Sequence, residues 1–127
     1  MLPVKLYHIP GMILGGGIDA EKVERLTTQP DVLATALDLT GQDLNYPILG
    51  RSVYSDEKKD LSLMQFNDTY ALRMGDKVAV LRPEKEALTF IYQAQKMLTA
   101  EHDKELEKKA LAFILTMNHL YEKRLYK

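Results

Sequence analysis

The sequence from Glu84 to Lys127 contains neither glycine nor proline, and apolar residues recur through it at helical spacing. As one straight helix, the block that begins at Pro83 would be roughly 67 Å long at a rise of about 1.5 Å per residue. A compact domain of this length is only about 36 Å across. The block is therefore expected either to fold back on itself or to project and find a partner.

The apolar pattern of this block is interrupted once by a highly charged stretch. A first apolar stripe covers Ala87–Leu98, and a second covers Leu106–Leu125. Thr99 or Asp103 can act as the N-cap of a second helix. The pattern favours a hairpin of two antiparallel helices. One long helix over residues 83–127 is the alternative, because no glycine or proline marks the break.

The middle third of the sequence, residues 51–82, changes to an alternation of apolar and polar residues with a period of two. The alternation predicts strands over Arg51–Ser55, Leu61–Phe66, Tyr70–Met74 and Lys77–Leu81. Asn67-Asp68 is expected to turn the chain, and Gly75-Asp76 predicts a two-residue hairpin loop of type II′. The middle third is therefore expected to form an antiparallel meander of three or four strands.

The N-terminal third is predicted to contain three short elements, which are a strand over Val4–Ile9 and helices over Ala20–Thr27 and Asp31–Leu39. Asp19 is a suitable N-cap for the first helix. Pro30 ends that helix and can open the next one, and Gly41 lies just past the end of the second helix. Residues 42–50 are predicted to form a loop.

Together these elements predict an α+β fold in a single domain of residues 1–127, with two short N-terminal helices and a C-terminal helical pair on one face of a small sheet. The composition agrees, because 46% hydrophobic and 28% charged residues are ordinary for a globular protein. The sequence contains no cysteine, which excludes disulfides, thiol catalysis and cysteine-ligated metals.

A cytoplasmic location without membrane contact is predicted from the apolar and charged residues. Pro3, His8 and Pro10 interrupt the start of the sequence where a signal peptide needs an unbroken apolar stretch. No segment approaches the run of about 20 apolar residues that a membrane span requires. The net charge is −1, so no overall field draws the protein to nucleic acid or to anionic lipid.

The run Gly15-Gly16-Gly17-Ile18-Asp19-Ala20 fits a variant of the dinucleotide-binding fingerprint, with a strand-like segment before it and a helical one after it. Gly15, Gly16 and Gly17 would let the backbone approach a pyrophosphate at the N-terminus of the helix. A small nucleotide-binding enzyme is therefore one alternative. Against it, Asp19 puts a negative charge at the helix start, and no third α/β unit follows.

No catalytic, cofactor or metal site is assigned from the sequence. The three histidines, His8, His102 and His119, are scattered and lack the spacing of metal ligands. There is no G-x-S-x-G nucleophile motif and no cysteine nucleophile. A non-enzymatic role without a cofactor is therefore predicted.

A nucleic-acid-binding role is a further alternative. Lys123, Arg124 and Lys127 lie among Tyr121 and Tyr126, and basic and aromatic side chains together can bind phosphates and stack on bases. Interspersed glutamates dilute this charge, which is more typical of a solvated helix face. Nucleic-acid binding is therefore possible but not favoured.

The C-terminal stripe carries more apolar surface than a helix on the outside of a small domain needs. Its members proposed for partner binding are Phe113, Met117, Leu120, Tyr121 and Leu125. An uncovered apolar stripe of this size is typical of an interaction surface. The favoured prediction is an intracellular interaction or regulatory module that associates with a protein partner or with itself as a homodimer.

Overall fold

A computed structural model describes residues 3–42 and 49–125 of the chain. The elements in order are a short 3-10 helix at Val4–Tyr7, α1 at Gln29–Leu39, β1 at Leu61–Phe66, β2 at Thr69–Met74, β3 at Lys77–Leu81, β4 at Leu88–Gln93, β5 at Lys96–Thr99 and α2 at Lys104–Glu122. The predicted α+β class is confirmed. The predicted loop over residues 42–50 lies mostly outside the described residues.

The five strands form one antiparallel sheet in chain order, β1-β2-β3-β4-β5. The predicted meander is therefore confirmed over β1, β2 and β3, and it continues for two more strands than the alternation indicated. Asn67-Asp68 and Gly75-Asp76 turn the chain as predicted. Gly75 has a φ of 60° and Asp76 does not have a positive φ, which is the pattern of a type II′ turn.

One face of the sheet packs against α2, which lies over β2 and β3. Leu72 and Ala79 of the sheet and Ala110 of α2 are all fully buried, and Leu106 is nearly so. These side chains meet because Leu72 pairs with Ala79 across the two strands and Leu106 and Ala110 are one helical turn apart. This contact is the first of two apolar cores.

The second core lies on the opposite face of the sheet. It contains Ala71 and Val78, which are fully buried, together with Met64 and Val80. Val4 of the short 3-10 helix covers this face and is itself 6% exposed. The N-terminal segment is therefore fixed to the sheet at its start.

The predicted helical pair over residues 83–127 is wrong in its first half, as is the alternative of one long helix. The residues of the predicted first stripe form β4 and β5, paired from Phe90–Thr99 to Gln93–Lys96. Thr89, Phe90, Ile91 and Tyr92 are β-branched or aromatic residues, which favour a strand. Ala94 and Gln95 form the two-residue loop and have positive φ angles of 49° and 62°. A loop of this kind usually contains asparagine or aspartate followed by glycine, and this one contains neither.

A better turn sequence at Ala94-Gln95 should stabilise the protein. Both residues have the left-handed backbone that costs a residue with a Cβ atom about 1–2 kcal/mol. The double substitution A94N/Q95G is expected to raise the free energy of unfolding by about 1–2 kcal/mol in urea titrations. Asp68→Gly is the control, because Asp68 does not have a positive φ and should gain nothing. Equal or lower stability of the double variant would contradict this structure of the turn.

The second half of the C-terminal block is helical, as predicted. Asp103 caps α2, and its side chain accepts a hydrogen bond from the Leu106 amide. Asp103 was one of the two residues predicted for this position. Glu105 and Glu107 follow in the first turn, where the helix dipole favours negative charge.

The helix α1 confirms the predicted Asp31–Leu39 segment and starts two residues earlier. Thr28 and Asp31 form a capping box, in which each side chain bonds the backbone of the other residue. Gly41 follows the helix with a φ of 68°, the left-handed conformation expected there.

Three elements predicted for the first 60 residues are absent. Val4–Tyr7 is a 3-10 helix and not part of a strand, residues 8–28 contain neither helix nor strand, and Arg51–Ser55 contains a turn. A helix as short as Ala20–Thr27 needs tertiary packing to form. The carbonyls of Val53 and Ser55 accept hydrogen bonds from the Arg25 side chain and have no partner strand.

In the residues that the structure describes, no helix has the combination of length and hydropathy that crossing a membrane would require.

Candidate functional site

A polar network joins the start of α2 to strands β3 and β4. The Asp103 amide donates to Thr89 Oγ1 at 3.0 Å, and Lys77 Nζ lies 2.7 Å from Asp103 Oδ2. The hydrogen bonds from Lys77 and from the Leu106 amide hold the pKa of Asp103 below its usual range. The same contact with Asp103 raises the pKa of Lys77. Both groups are therefore held in their charged forms.

Glu107 brings a histidine into this network. Its Oε1 accepts a hydrogen bond from Thr89 Oγ1 at 2.9 Å and lies 2.9 Å from His102 Nδ1. The Glu107 side chain is only 13% exposed, whereas that of His102 is 41% exposed. A carboxylate at Nδ1 favours the tautomer that carries its proton on that nitrogen. The hydrogen bond between Thr89 and Glu107 also joins α2 to β4.

Metal binding needs more ligands than this network supplies. Across residues 3–42 and 49–125, no group of three or more His, Cys, Asp and Glu side chains comes together in a way that could hold a metal ion. The shallow groove beside the network is lined by Met74, Lys77, Asp103, Glu105, Leu106 and Lys109. Its two lysines are paired with its two acids at 2.7 Å each, so the groove has no excess charge to attract an anion.

A second polar cluster lies among the first 60 residues, around the buried carboxylate of Asp31. Oδ2 of Asp31 accepts hydrogen bonds from the amide and the hydroxyl of Thr28 at 2.8 Å each. Oδ1 accepts from the Arg51 amide at 2.9 Å. Lys58 Nζ is 3.7 Å from Oδ2, and the Lys58 side chain is 1% exposed. This is a buried ion pair with the surrounding hydrogen bonds that such a pair requires.

Arg25 extends this cluster to residues 8–28, which we call the arm. Its guanidinium donates to the backbone carbonyls of Val53 and Lys58 at 3.0 and 2.9 Å, and to Asp60 Oδ1 at 3.0 Å. Lys58 Nζ donates to the Leu26 carbonyl at 2.6 Å. The end of the arm is therefore fixed to the segment that precedes β1.

Acid should weaken this attachment. Burial acts to raise the pKa of the Asp60 carboxyl, but hydrogen bonds from Arg25 and Lys58 outweigh it and lower the pKa from the ordinary value of 3.8. A carboxyl group with a lowered pKa stabilises the fold at every pH above its ordinary pKa. This stabilisation is lost as the pH falls through the pKa of the folded state. We expect the Tm to fall below about pH 4. Asp60→Asn should show a shallower fall, and parallel curves for the two proteins would contradict this role of Asp60.

The arm exposes an unusual amount of apolar surface. Ile9 is 63% exposed, Met12 79% and Leu14 84%, and Leu6 in the preceding 3-10 helix is 75% exposed. The accessible surface of the chain is 9584 Å². A folded monomer of 14.5 kDa is expected to expose about 6,900 Å². The chain therefore presents more surface than a self-sufficient domain of its mass.

The residues predicted for partner binding do not share one free surface. Phe113 packs against the core beneath α2. Met117 is 39% exposed, Tyr121 73% and Leu125 47%, whereas Leu120 is half-buried. A role of this stripe in partner binding stays a prediction.

The residues of the two alternative sites are exposed. Gly15, Gly16 and Gly17 lie in a turn of the arm, and no helix follows them, so the helix N-terminus on which the nucleotide hypothesis depended is absent there. Lys123 and Arg124 follow the last turn of α2 and are exposed, and Lys127 lies outside the described residues.

The cluster of Arg25, Asp31, Lys58 and Asp60 was not predicted from the sequence. One local signal was available, because Thr28 and Asp31 have the spacing of a capping box. The contacts of Arg25 with Asp60 and of Asp31 with Lys58 join residues about 30 positions apart, for which the alternation of apolar and polar residues contains no signal.

Known proteins show what this fold resembles. No known protein-family profile matches the sequence. The crystal structure of a protein in the alkaline phosphatase superfamily from Vibrio parahaemolyticus has the same fold, with a TM-score of 0.91 and 28% sequence identity. The similarity covers 99% of this chain and 32% of the Vibrio chain. This chain therefore spans about a third of the length of that protein.

This similarity corrects the predicted function. A non-enzymatic, self-associating interaction module is the wrong interpretation, because almost the entire fold of this chain recurs within a protein of an enzyme superfamily. The nucleic-acid and nucleotide alternatives receive no support from it. Among the described residues, the most exposed large apolar side chains are Leu14, Met12 and Leu6, which lie in and beside the arm and were not among the residues predicted for partner binding.

Proposed function

We propose that this chain works as one part of an enzyme of the alkaline phosphatase superfamily, and that hydrolysis of a phosphate ester takes place in another part. The observation that carries the proposal is the similarity to the Vibrio protein, which covers nearly all of this chain and about a third of the other. In this role the sheet and α2 form a rigid unit beside the catalytic part.

The distribution of possible metal ligands supports this division. Phosphatases commonly bind two metal ions that stabilise the attacking and leaving oxygens. Within the described parts of the chain no three such ligands converge, and His102 with Glu107 is a pair whose atoms already bond each other. These residues do not fit a metal centre of that kind. The catalytic centre is therefore assigned to the other part.

The exposed surface of the chain also supports the proposal. The accessible area exceeds the expectation for a monomer of this mass by about 2,700 Å². Interfaces between permanently associated parts bury about 2,000–5,000 Å² in total, which is about 1,000–2,500 Å² on each part. The excess is therefore near the upper end of what packing against a larger catalytic part would remove from this chain.

A hybrid protein tests the proposal. In it, this chain replaces the matching third of the Vibrio protein, and hydrolysis of p-nitrophenyl phosphate and bis(p-nitrophenyl) phosphate is compared with the parent. The hybrid is expected to fold and to retain the parent's rate within about tenfold, which corresponds to 1.4 kcal/mol in the barrier. This chain alone, with added Zn²⁺, Mg²⁺ or Mn²⁺, is expected to hydrolyse neither ester.

Two results would contradict the proposal. Metal-dependent hydrolysis by this chain alone would show that the catalytic centre lies within it. A hybrid that does not fold would show that the resemblance of the two folds does not extend to their role.

A further inference from the structure

Two apolar surfaces of this chain are available to the rest of such an enzyme. One is the outer face of α2, where Leu111 is 48% and Leu115 58% exposed. The other is formed by Leu6 of the 3-10 helix and by Ile9, Met12 and Leu14 of the arm, and we call it the apolar strip. The two surfaces differ in charge, in backbone hydrogen bonding and in how they are held.

The apolar strip is more exposed and is free of charge. Its four side chains are between 63% and 84% exposed, and no charged residue lies between positions 6 and 14. The outer face of α2 is interrupted by Lys108, Lys109 and Glu122, as is usual for a solvated amphipathic helix. An uncharged apolar stretch of this exposure is much less common on the surface of a monomer.

The backbone of the strip beyond the 3-10 helix also lacks partners. In the described parts of the chain, the amides of Ile9 and of residues 11–14 make no hydrogen bond to another backbone group. Backbone groups of folded proteins are almost always paired when they are removed from water, and a segment outside helices and strands can pair with the edge of a sheet. In contrast, α2 satisfies its amides internally.

Contacts on both sides of the strip hold it in place. Val4 is buried against the sheet on one side, and Arg25 is bonded to the segment before β1 on the other. Between them, Gly11 lies close to α1, where a Cβ atom would be 3.5 Å from Val32 Cγ2. The strip therefore lies between two segments that are fixed to the rest of the fold.

We infer that the apolar strip is the surface on which the catalytic part of the enzyme packs, and that residues 9–14 bond to its backbone. This inference rests on the proposed function. The occupant is the remainder of an alkaline-phosphatase-type fold, because the Vibrio chain continues for about twice the length that this fold covers. An uncharged apolar segment is suited to a permanent apolar contact, whereas the charged face of α2 is suited to water.

The hybrid protein also tests this inference. The strip variant carries Met12→Lys and Leu14→Lys, and the matched control carries Leu111→Lys and Leu115→Lys on α2. In the hybrid, the strip variant is expected to lower the Tm by about 5 °C or more and the control to leave it within about 2 °C. In this chain alone, neither pair should change the Tm by more than about 2 °C, since all four side chains are exposed.

Hydrogen exchange provides a second measurement without substitutions. The amides of Ile9 and of residues 11–14 are expected to exchange at least about tenfold more slowly in the hybrid than in this chain alone. A hybrid that folds and is active but leaves these amides unprotected would overturn the inference and leave the proposed function standing. A larger loss of Tm from the α2 control than from the strip variant would overturn it as well. A hybrid that does not fold would overturn the proposed function and the inference together.

Discussion

Replacing Lys58 with methionine is expected to lower the free energy of unfolding by about 3–5 kcal/mol. The Lys58 side chain is 1% exposed, and its Nζ lies 3.7 Å from the carboxylate of Asp31, whose side chain is 7% exposed. Methionine fills a similar volume but removes the positive charge, so Asp31 would remain buried without its cation. The loss of one partner of a buried pair costs more than the pair itself contributes.

The neighbouring Lys59 provides the control for this experiment. Lys59 is exposed, so Lys59→Met is expected to change the stability by no more than about 0.5 kcal/mol. Both variants are measured by urea denaturation at pH 7. A loss below about 1 kcal/mol for Lys58→Met would show that Asp31 does not depend on Lys58.

Replacing Gly50 with alanine should be the second most damaging change, with an expected loss of about 2–3 kcal/mol. A Cβ atom at Gly50 would overlap the backbone carbonyl of Pro30 and lie 2.7 Å from the Asp31 amide. These are backbone atoms in the first turn of α1, so they cannot rotate away as a side chain would. The substitution should therefore displace the start of α1 and with it the Asp31 carboxylate.

Gly16 is the matched control for Gly50, because a Cβ atom there would have nothing within 4 Å and its φ is not positive. Gly16→Ala is expected to leave the stability unchanged or to raise it slightly, since alanine reduces the freedom of the unfolded chain. Thermal and urea unfolding of both variants provide the comparison. Equal stabilities of the two variants would show that Gly50 does not lie against α1.

The sequence predicted the elements whose signals are local. Strands β1, β2 and β3 follow from a period of two and from Gly75 at the first position of a tight turn. The helix α1 follows from Pro30 near its start and Gly41 past its end, and α2 from the cap at Asp103. In each case the residues that define the element lie within or beside it.

Strands β4 and β5 could not be separated from a helix by spacing alone. Leu88 and Ile91 fit a helical stripe, whereas Leu88 and Phe90 fit a strand, so both periods use the same residues. The loop that decides between them consists of Ala94 and Gln95, neither of which favours a positive φ. Pairing with β3 agrees with the strand preference of residues 89–92, but such pairing leaves no mark in a single sequence.

The candidate site was less predictable than the fold, for a physical reason. Lys58 is 27 positions from Asp31 and 33 from Arg25, and hydrophilic residues of this kind are usually solvated. The sequence drew attention to the apolar residues of α2 because they recur at helical spacing, whereas the apolar residues of the arm have no regular period. Met12 and Leu14 of the arm are nevertheless the most exposed large apolar side chains among the described residues.

The most direct measurement of the central claim is ester hydrolysis by the hybrid in which this chain replaces the matching third of the Vibrio protein. Three proteins are compared, which are the parent, the hybrid with the unaltered chain and this chain alone. The proposed role predicts hydrolysis by the parent and by the hybrid within about tenfold of each other, and none by this chain alone. Hydrolysis by this chain alone, or an inactive hybrid beside an active parent, would contradict it.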